Sequence, residues 1–173
     1  PRVRLSGEQV RDQALFVSGL LNKKLFGKPV MPHQPNGIWQ VVYNEMSWKL
    51  SEGDEKYRRA IYTFWRRTSP YPTMLTFDGP SRDVCTSRRI RTNTPLQALI
   101  SLNDTVYTEA AMALAEKALN SKARTIDQKI NICYKTATCR ELNESKALAL
   151  KNLYQKSLKF YQKNKNRSIS MVR

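Results

Sequence analysis

The 173 residues are 40% hydrophobic and 9% aromatic, which suits a packed globular chain and excludes wholesale disorder. No apolar run approaches the ~20 residues of a membrane-spanning helix, and no leader pattern opens the chain; the first residue, Pro1, leads us to expect a piece of a longer protein. The net charge of +16 is uneven: residues 1–120 carry 17 Lys+Arg against 11 Asp+Glu, and residues 121–173 carry 13 against 3. That excess favours anionic partners through counterion release and fixes neither fold nor specificity.

The first predicted element is a helix over 7–21. Ser6 and Gln9 form a capping box, and Val10, Ala14, Val17 and Leu21 recur at helical spacing, with Leu15 and Leu20 widening the stripe. Pro29, Pro32 and Pro35 make residues 27–37 an irregular crossing. Residues 38–48 are apolar and short, and periodicity leaves helix and strand open there. Tyr57–Trp65 is rich in aromatic and β-branched residues and reads as a strand buried on both sides. Pro70 and Pro72 end it. Residues 73–93 form a long connection dense in charge.

The remainder reads as helices over 95–102, 105–119, 126–137 and 144–163. Thr94 with Pro95 and Gln97 starts the first, and Asp104 the second, with Val106, Tyr107, Ala110, Leu114 and Ala118 inward. Thr125 with Gln128 starts the third; Asn143 starts the last, with Ala147, Leu150, Tyr154 and Tyr161 inward. Lys156, Lys159 and Lys163 fall on the opposite face, as on an ordinary solvated helix. The expected architecture is mainly α and bundle-like, with a small β element and a long irregular Arg-rich loop. It forms one domain over 1–163, followed by a basic, frayed tail over 164–173.

Residues 78–97 hold the densest chemistry. Arg82, Arg88, Arg89 and Arg91 lie within ten residues, immediately before the helix start at Thr94. Guanidinium forks bind carboxylate, sulfate or phosphate, and a helix N-terminus adds free N–H groups. The segment is therefore either an anion or docking site or a loop fastened by Asp78, Asp83 and carbonyls. At least two of the four arginines are expected to meet at the helix start at Pro95. Cys85 is a candidate nucleophile if these charges lower its pKa, although His33 is the sole imidazole able to serve it as a base. Asp78 and Asp83 form a candidate acid–base pair, but carboxylates beside arginines are more often ion-paired. Trp39, Trp48 and Trp65, with Tyr43, Tyr57, Tyr62 and Tyr71, serve either as core or as a platform for sugars or bases. The spacing of Cys85, Cys133 and Cys139 fits no structural zinc site, and the sequence contains no C-x-x-C-H haem motif.

The strings RLSGEQVRDQAL (4–15), YRRAIYTFWRRTSP (57–70), MLTFDGPSRDVCTSRRIRTNTPLQAL (74–99) and LND (102–104) resemble a bacterial domain of unknown function, DUF family 1553. The resemblance covers residues 2–120; the basic C-terminal third departs from the pattern. That domain typically closes large exported proteins of Planctomycetes, Verrucomicrobia and some Bacteroidetes that also carry a cytochrome-c-type domain. The resemblance implies a periplasmic or exported protein, with haem c on another domain of the polypeptide. The missing haem motif and the spacing of the three thiols lead us to expect no cofactor or metal in this segment. It carries over no reaction and no catalytic residue. The expected role is a docking or binding module that meets other domains of the same polypeptide, an acidic polysaccharide or another anion, and that has no membrane span. The alternatives are a catalytic module, hydrolase or oxidoreductase, completed by another domain, and a basic module that binds nucleic acid weakly and without sequence preference.

Overall fold

The computed structural model describes residues 3–38, 47–82 and 84–172, with the side chains of 171 and 172 excepted. Trp39, Tyr43, most of the undecided segment 38–48, and Asp83 lie outside the described residues. Helix dominates: α1 Gly7–Ser18, α2 Pro72–Thr76, α3 Pro95–Asn103, α4 Thr105–Leu119, α5 Ile126–Thr138, α6 Glu144–Lys163 and α7 Lys165–Val172. The chain divides into two compact units, Pro1–Leu114 and Ala115–Arg173.

The helix starts form as local chemistry dictates. Capping boxes close at Ser6 with Gln9, Thr94 with Gln97, and Thr125 with Gln128, and the Asn143 side chain accepts from the Lys146 N–H. Asp104 accepts from the Val106 N–H at 2.9 Å, starting α4, whose Val106, Tyr107, Ala110 and Ala118 are buried. Helix α1 stops at Gly19, which takes φ +86°, a conformation cheap for glycine.

Which face of α1 is buried differs from the expected stripe. Gly7, Arg11, Leu15 and Ser18 point inward, one position round from Val10, Ala14 and Val17, which are half-buried. At Gly7 a Cβ would stand 3.0 Å from Phe77 Cβ, so the glycine permits the close approach of α1 to the end of α2. Ala60, Tyr71 and Met74 form the central cluster, with Trp48 and Trp65 packed on it.

The expected strand over Tyr57–Trp65 is corrected. Two 3-10 turns, Gly53–Tyr57 and Ala60–Tyr62, occupy the segment, with single parallel bridges Asn22–Arg58 and Val30–Thr63 on either side. The cause is a competition for backbone donors. Asp12 Oδ1 takes the Ala60 N–H at 2.6 Å, and the Tyr62 and Thr63 N–H groups turn back to Arg59 and Ala60, so no ladder can extend. In α3 Leu96, Leu99 and Leu102 are exposed and Gln97 is the buried residue.

In the second unit α5 and α6 pair antiparallel. Asp127 near the start of α5 meets Lys151 of α6 at 2.9 Å, and Tyr134 further along meets Lys146 at 3.2 Å. Neither helix buries a residue completely. Where a frayed tail was expected, Lys165–Val172 is helical, with the Arg167 guanidinium over the Phe160 ring. No helix among the described residues is long and apolar enough to cross a membrane.

Candidate functional site

Two buried arginines hold the frame of the first unit. Arg11, from α1, donates from Nη1 to the Arg58 carbonyl and from Nη2 to the Lys56 carbonyl, both at 2.7 Å. Arg58 in turn donates to the carbonyls of Lys28 at 2.9 Å and Phe26 at 2.5 Å, with its guanidinium 3.9 Å from the Tyr62 ring centroid. Each side chain is 1% exposed. Burial pushes the pKa of Arg11 down, countered by the nearby phenols Tyr71 and Tyr107 and the carboxylates Asp12 and Asp104, and a guanidinium keeps its proton in such surroundings. Burial also pushes Tyr71 up to about 12, Asp104 adding to the effect. Sequence pattern missed both arginines, because polar residues are taken as surface; the setting of the Arg58–Arg59 pair between Tyr57 and Ala60 was the available signal.

The long loop after α2 is tied at its base. Asp78, at φ +60°, accepts from the Thr92 N–H at 2.7 Å and from Thr92 Oγ1 at 2.8 Å. Gln97 Nε2 donates to the Thr76 carbonyl, Asp78 and Thr92 Oγ1, while its Oε1 accepts from Arg4. The Thr92 N–H is the main cause holding the Asp78 carboxyl below its ordinary range. A carboxylate so engaged is ionised and occupied, which suits a latch better than proton transfer.

The four loop arginines do not meet at the start of α3, and that expectation is corrected. Arg89 Nη1 reaches both Glu8 carboxylate oxygens at 2.8 Å. Arg91 donates to the Arg4 carbonyl, Arg82 lies 5.2 Å over the Trp65 ring, and Arg88 makes no hydrogen bond or ion pair with another described residue. The guanidinium at the α3 start is that of Arg4, bonded to Gln97 and Asn93. Thr94 serves as the helix cap. Burial raises Glu8, but its backbone N–H bond and Arg89 outweigh this and bring the carboxyl below its ordinary value.

Two cavities flank Arg82 and Arg89. One, of about 370 Å³, is lined by Arg67, Arg82, Arg89, Pro80, Val84 and Cys85, and its charged residues among those described are all arginines. Arg67 makes no hydrogen bond or ion pair with another described residue. The other, of about 410 Å³, lies beside the first half of α1. Cys85 is exposed within the first cavity, and His33 is exposed, with its carbonyl accepting from the Tyr71 hydroxyl. Among the described residues no group of three or more His, Cys, Asp or Glu side chains could hold a metal ion. Of the aromatic residues, Trp48 stacks on Tyr71 at 6.0 Å and meets Phe64 edge-on, and Tyr62 lies under Arg58, so packing accounts for them.

The family model described as PSD1, protein of unknown function (DUF1553), matches residues 1–154. No curated protein and no solved structure matches the chain.

Proposed function

The chain belongs to the PSD1 family of unknown function (DUF1553), and we propose that it is a binding and docking module whose recognition surface is the arginine face made by Arg67, Arg82 and Arg89. One observation carries the reading: the 370 Å³ cavity presents Arg67, Arg82 and Arg89, and only Arg89 is matched by a carboxylate among the described residues. Guanidinium groups gathered without counter-charge repel one another, and an anion relieves that repulsion. The ligand is an acidic group, borne either by another domain of the same polypeptide or by an anionic polymer. In this reading the protein works in the periplasm or outside the cell, and haem c sits on a separate domain. Family membership is what supports that setting.

The test removes the cavity arginine that makes no bond with another described residue. Arg67→Ala is expected to leave the unfolding transition within about 0.5 kcal/mol of the unaltered chain, since the side chain does not hold the fold. The rise in melting temperature with low-millimolar sulfate, measured against chloride at equal ionic strength, is expected in the unaltered chain and lost in the variant. Equal sulfate stabilisation of both proteins, or none in either, contradicts the reading.

A further inference from the structure

Helix α6 of the second unit carries two different faces. Ala147, Leu150, Ser157 and Tyr161 are half-buried and share one side. About a quarter turn round, Ala149, Leu153, Lys156, Phe160 and Lys163 form a stripe at alternating spacings of four and three residues. Every residue of that stripe is exposed, Leu153 by 60% and Phe160 by 43%. Lys159, one turn from both Lys156 and Lys163, borders it, and the Arg167 guanidinium of α7 lies 5.8 Å from the Phe160 ring centroid. A merely solvated face carries lysines without the leucine and the phenylalanine between them.

Charge decides what can cover this stripe. Residues 121–173 hold 13 Lys+Arg against 3 Asp+Glu, and two of the three carboxylates are engaged, Asp127 by Lys151 and Glu141 by Lys135. The ammonium groups of Lys156, Lys159 and Lys163 make no hydrogen bond or ion pair with another described residue. A second copy of this unit brings like charge against like. An anionic, partly apolar surface satisfies both kinds of residue. Glu144–Lys163 contains five lysines and no arginine. An ammonium on a long flexible stem reaches sideways from an inserted apolar stripe, whereas a fixed carboxylate on a folded partner is better met by the arginine fork. Duplex nucleic acid takes the lysines and offers Leu153 no apolar surface.

We propose that this stripe of α6 seats on an anionic phospholipid surface, with Leu153 and Phe160 at the headgroup–acyl boundary and Lys156, Lys159 and Lys163 on the lipid phosphates. The helix lies in the plane of the surface and does not cross it. The proposal concerns the second unit alone and does not depend on the arginine face of the first.

Co-sedimentation of the full chain with vesicles at physiological salt tests it. The probes are phosphatidylglycerol mixed with phosphatidylcholine, pure phosphatidylcholine, and a soluble acidic copolymer of glutamate and tyrosine. Binding to the anionic vesicles is expected to be at least tenfold tighter than to the neutral ones. Leu153→Ser with Phe160→Ser is expected to weaken it at least tenfold, and Lys156→Gln with Lys163→Gln by a similar factor. Equal binding to the two vesicle types, or none to either, overturns the proposal. Unchanged binding of the serine variant overturns it as well, because the apolar residues then contribute nothing. Tighter binding of the copolymer than of the anionic vesicles, lost in the serine variant, assigns the stripe to an acidic protein instead. A dimer of the unaltered chain that the serine variant abolishes assigns it to a second copy. Both substituted side chains are exposed, so helicity by circular dichroism is expected to be unchanged. If it falls, the vesicle comparison on the unaltered chain and the glutamine variant still decide.

Discussion

Replacing Arg11 by Met is expected to destabilise the first unit by about 3 kcal/mol or more, because each of two charge-assisted hydrogen bonds contributes about 1.5–3 kcal/mol. Met keeps most of the aliphatic volume, so the loss reports the guanidinium and not a cavity. The carbonyls of Lys56 and Arg58, which accept from Arg11, are left without their donor in a region closed to water. The damage propagates because Arg58 itself organises the 24–28 segment through the Lys28 and Phe26 carbonyls. All three tryptophans, Trp39, Trp48 and Trp65, fall within residues 1–114, so intrinsic fluorescence during denaturant unfolding follows this unit specifically. Arg88→Met is the control, expected within about 0.5 kcal/mol of the unaltered chain. Equal effects of the two substitutions contradict the structural role of Arg11.

Gln97→Ala is the second large effect, expected to cost about 2–3 kcal/mol and to release the loop over 79–93. Gln97 is 3% exposed, and its amide joins Thr76, Asp78, Thr92 and Arg4. Removing it takes one buried, shared partner from the half-buried Thr76 and Asp78 and from the exposed Thr92 and Arg4 all at once. Hydrogen exchange over residues 79–93 is expected to accelerate, while α5 and α6 exchange as before. Acid acts on the same latch. The folded-state pKa of Asp78 lies below its unfolded value near ~3.9, so its contribution is complete above that value and is lost as pH falls through the folded pKa. Exchange at the Thr92 amide, corrected for the intrinsic rate, is therefore expected to lose protection only at strongly acidic pH. Loss of protection near neutral pH contradicts this assignment.

The parts of the molecule legible in its sequence are those decided within a few residues. Ser6 with Gln9, Thr94 with Gln97, and Thr125 with Gln128 announce helix starts because a cap bonds to its own first turn. Helix α4 is legible for a second reason: Val106, Tyr107, Ala110 and Ala118 keep helical spacing and are apolar. What escaped depends on partners far along the chain. The buried face of α1 is led by Arg11, a residue whose burial follows only from carbonyls 45 and 47 positions away. Segment 57–65 has strand composition, yet Asp12 takes its central N–H, an event no local pattern contains. At the candidate site the loop arginines were visible as a cluster. Their separate destinations were not, and neither was Arg67, which lies fifteen residues upstream of Arg82 and shares its cavity.

The arginine face is tested most directly by a crystal structure grown with selenate, whose selenium is located by its anomalous scattering. The account predicts an anomalous peak in the cavity of Arg67, Arg82 and Arg89, with guanidinium nitrogens at hydrogen-bonding distance. That peak should vanish in Arg67→Ala. A selenate bound only at the α3 start beside Arg4, or an arginine cavity holding none, contradicts it.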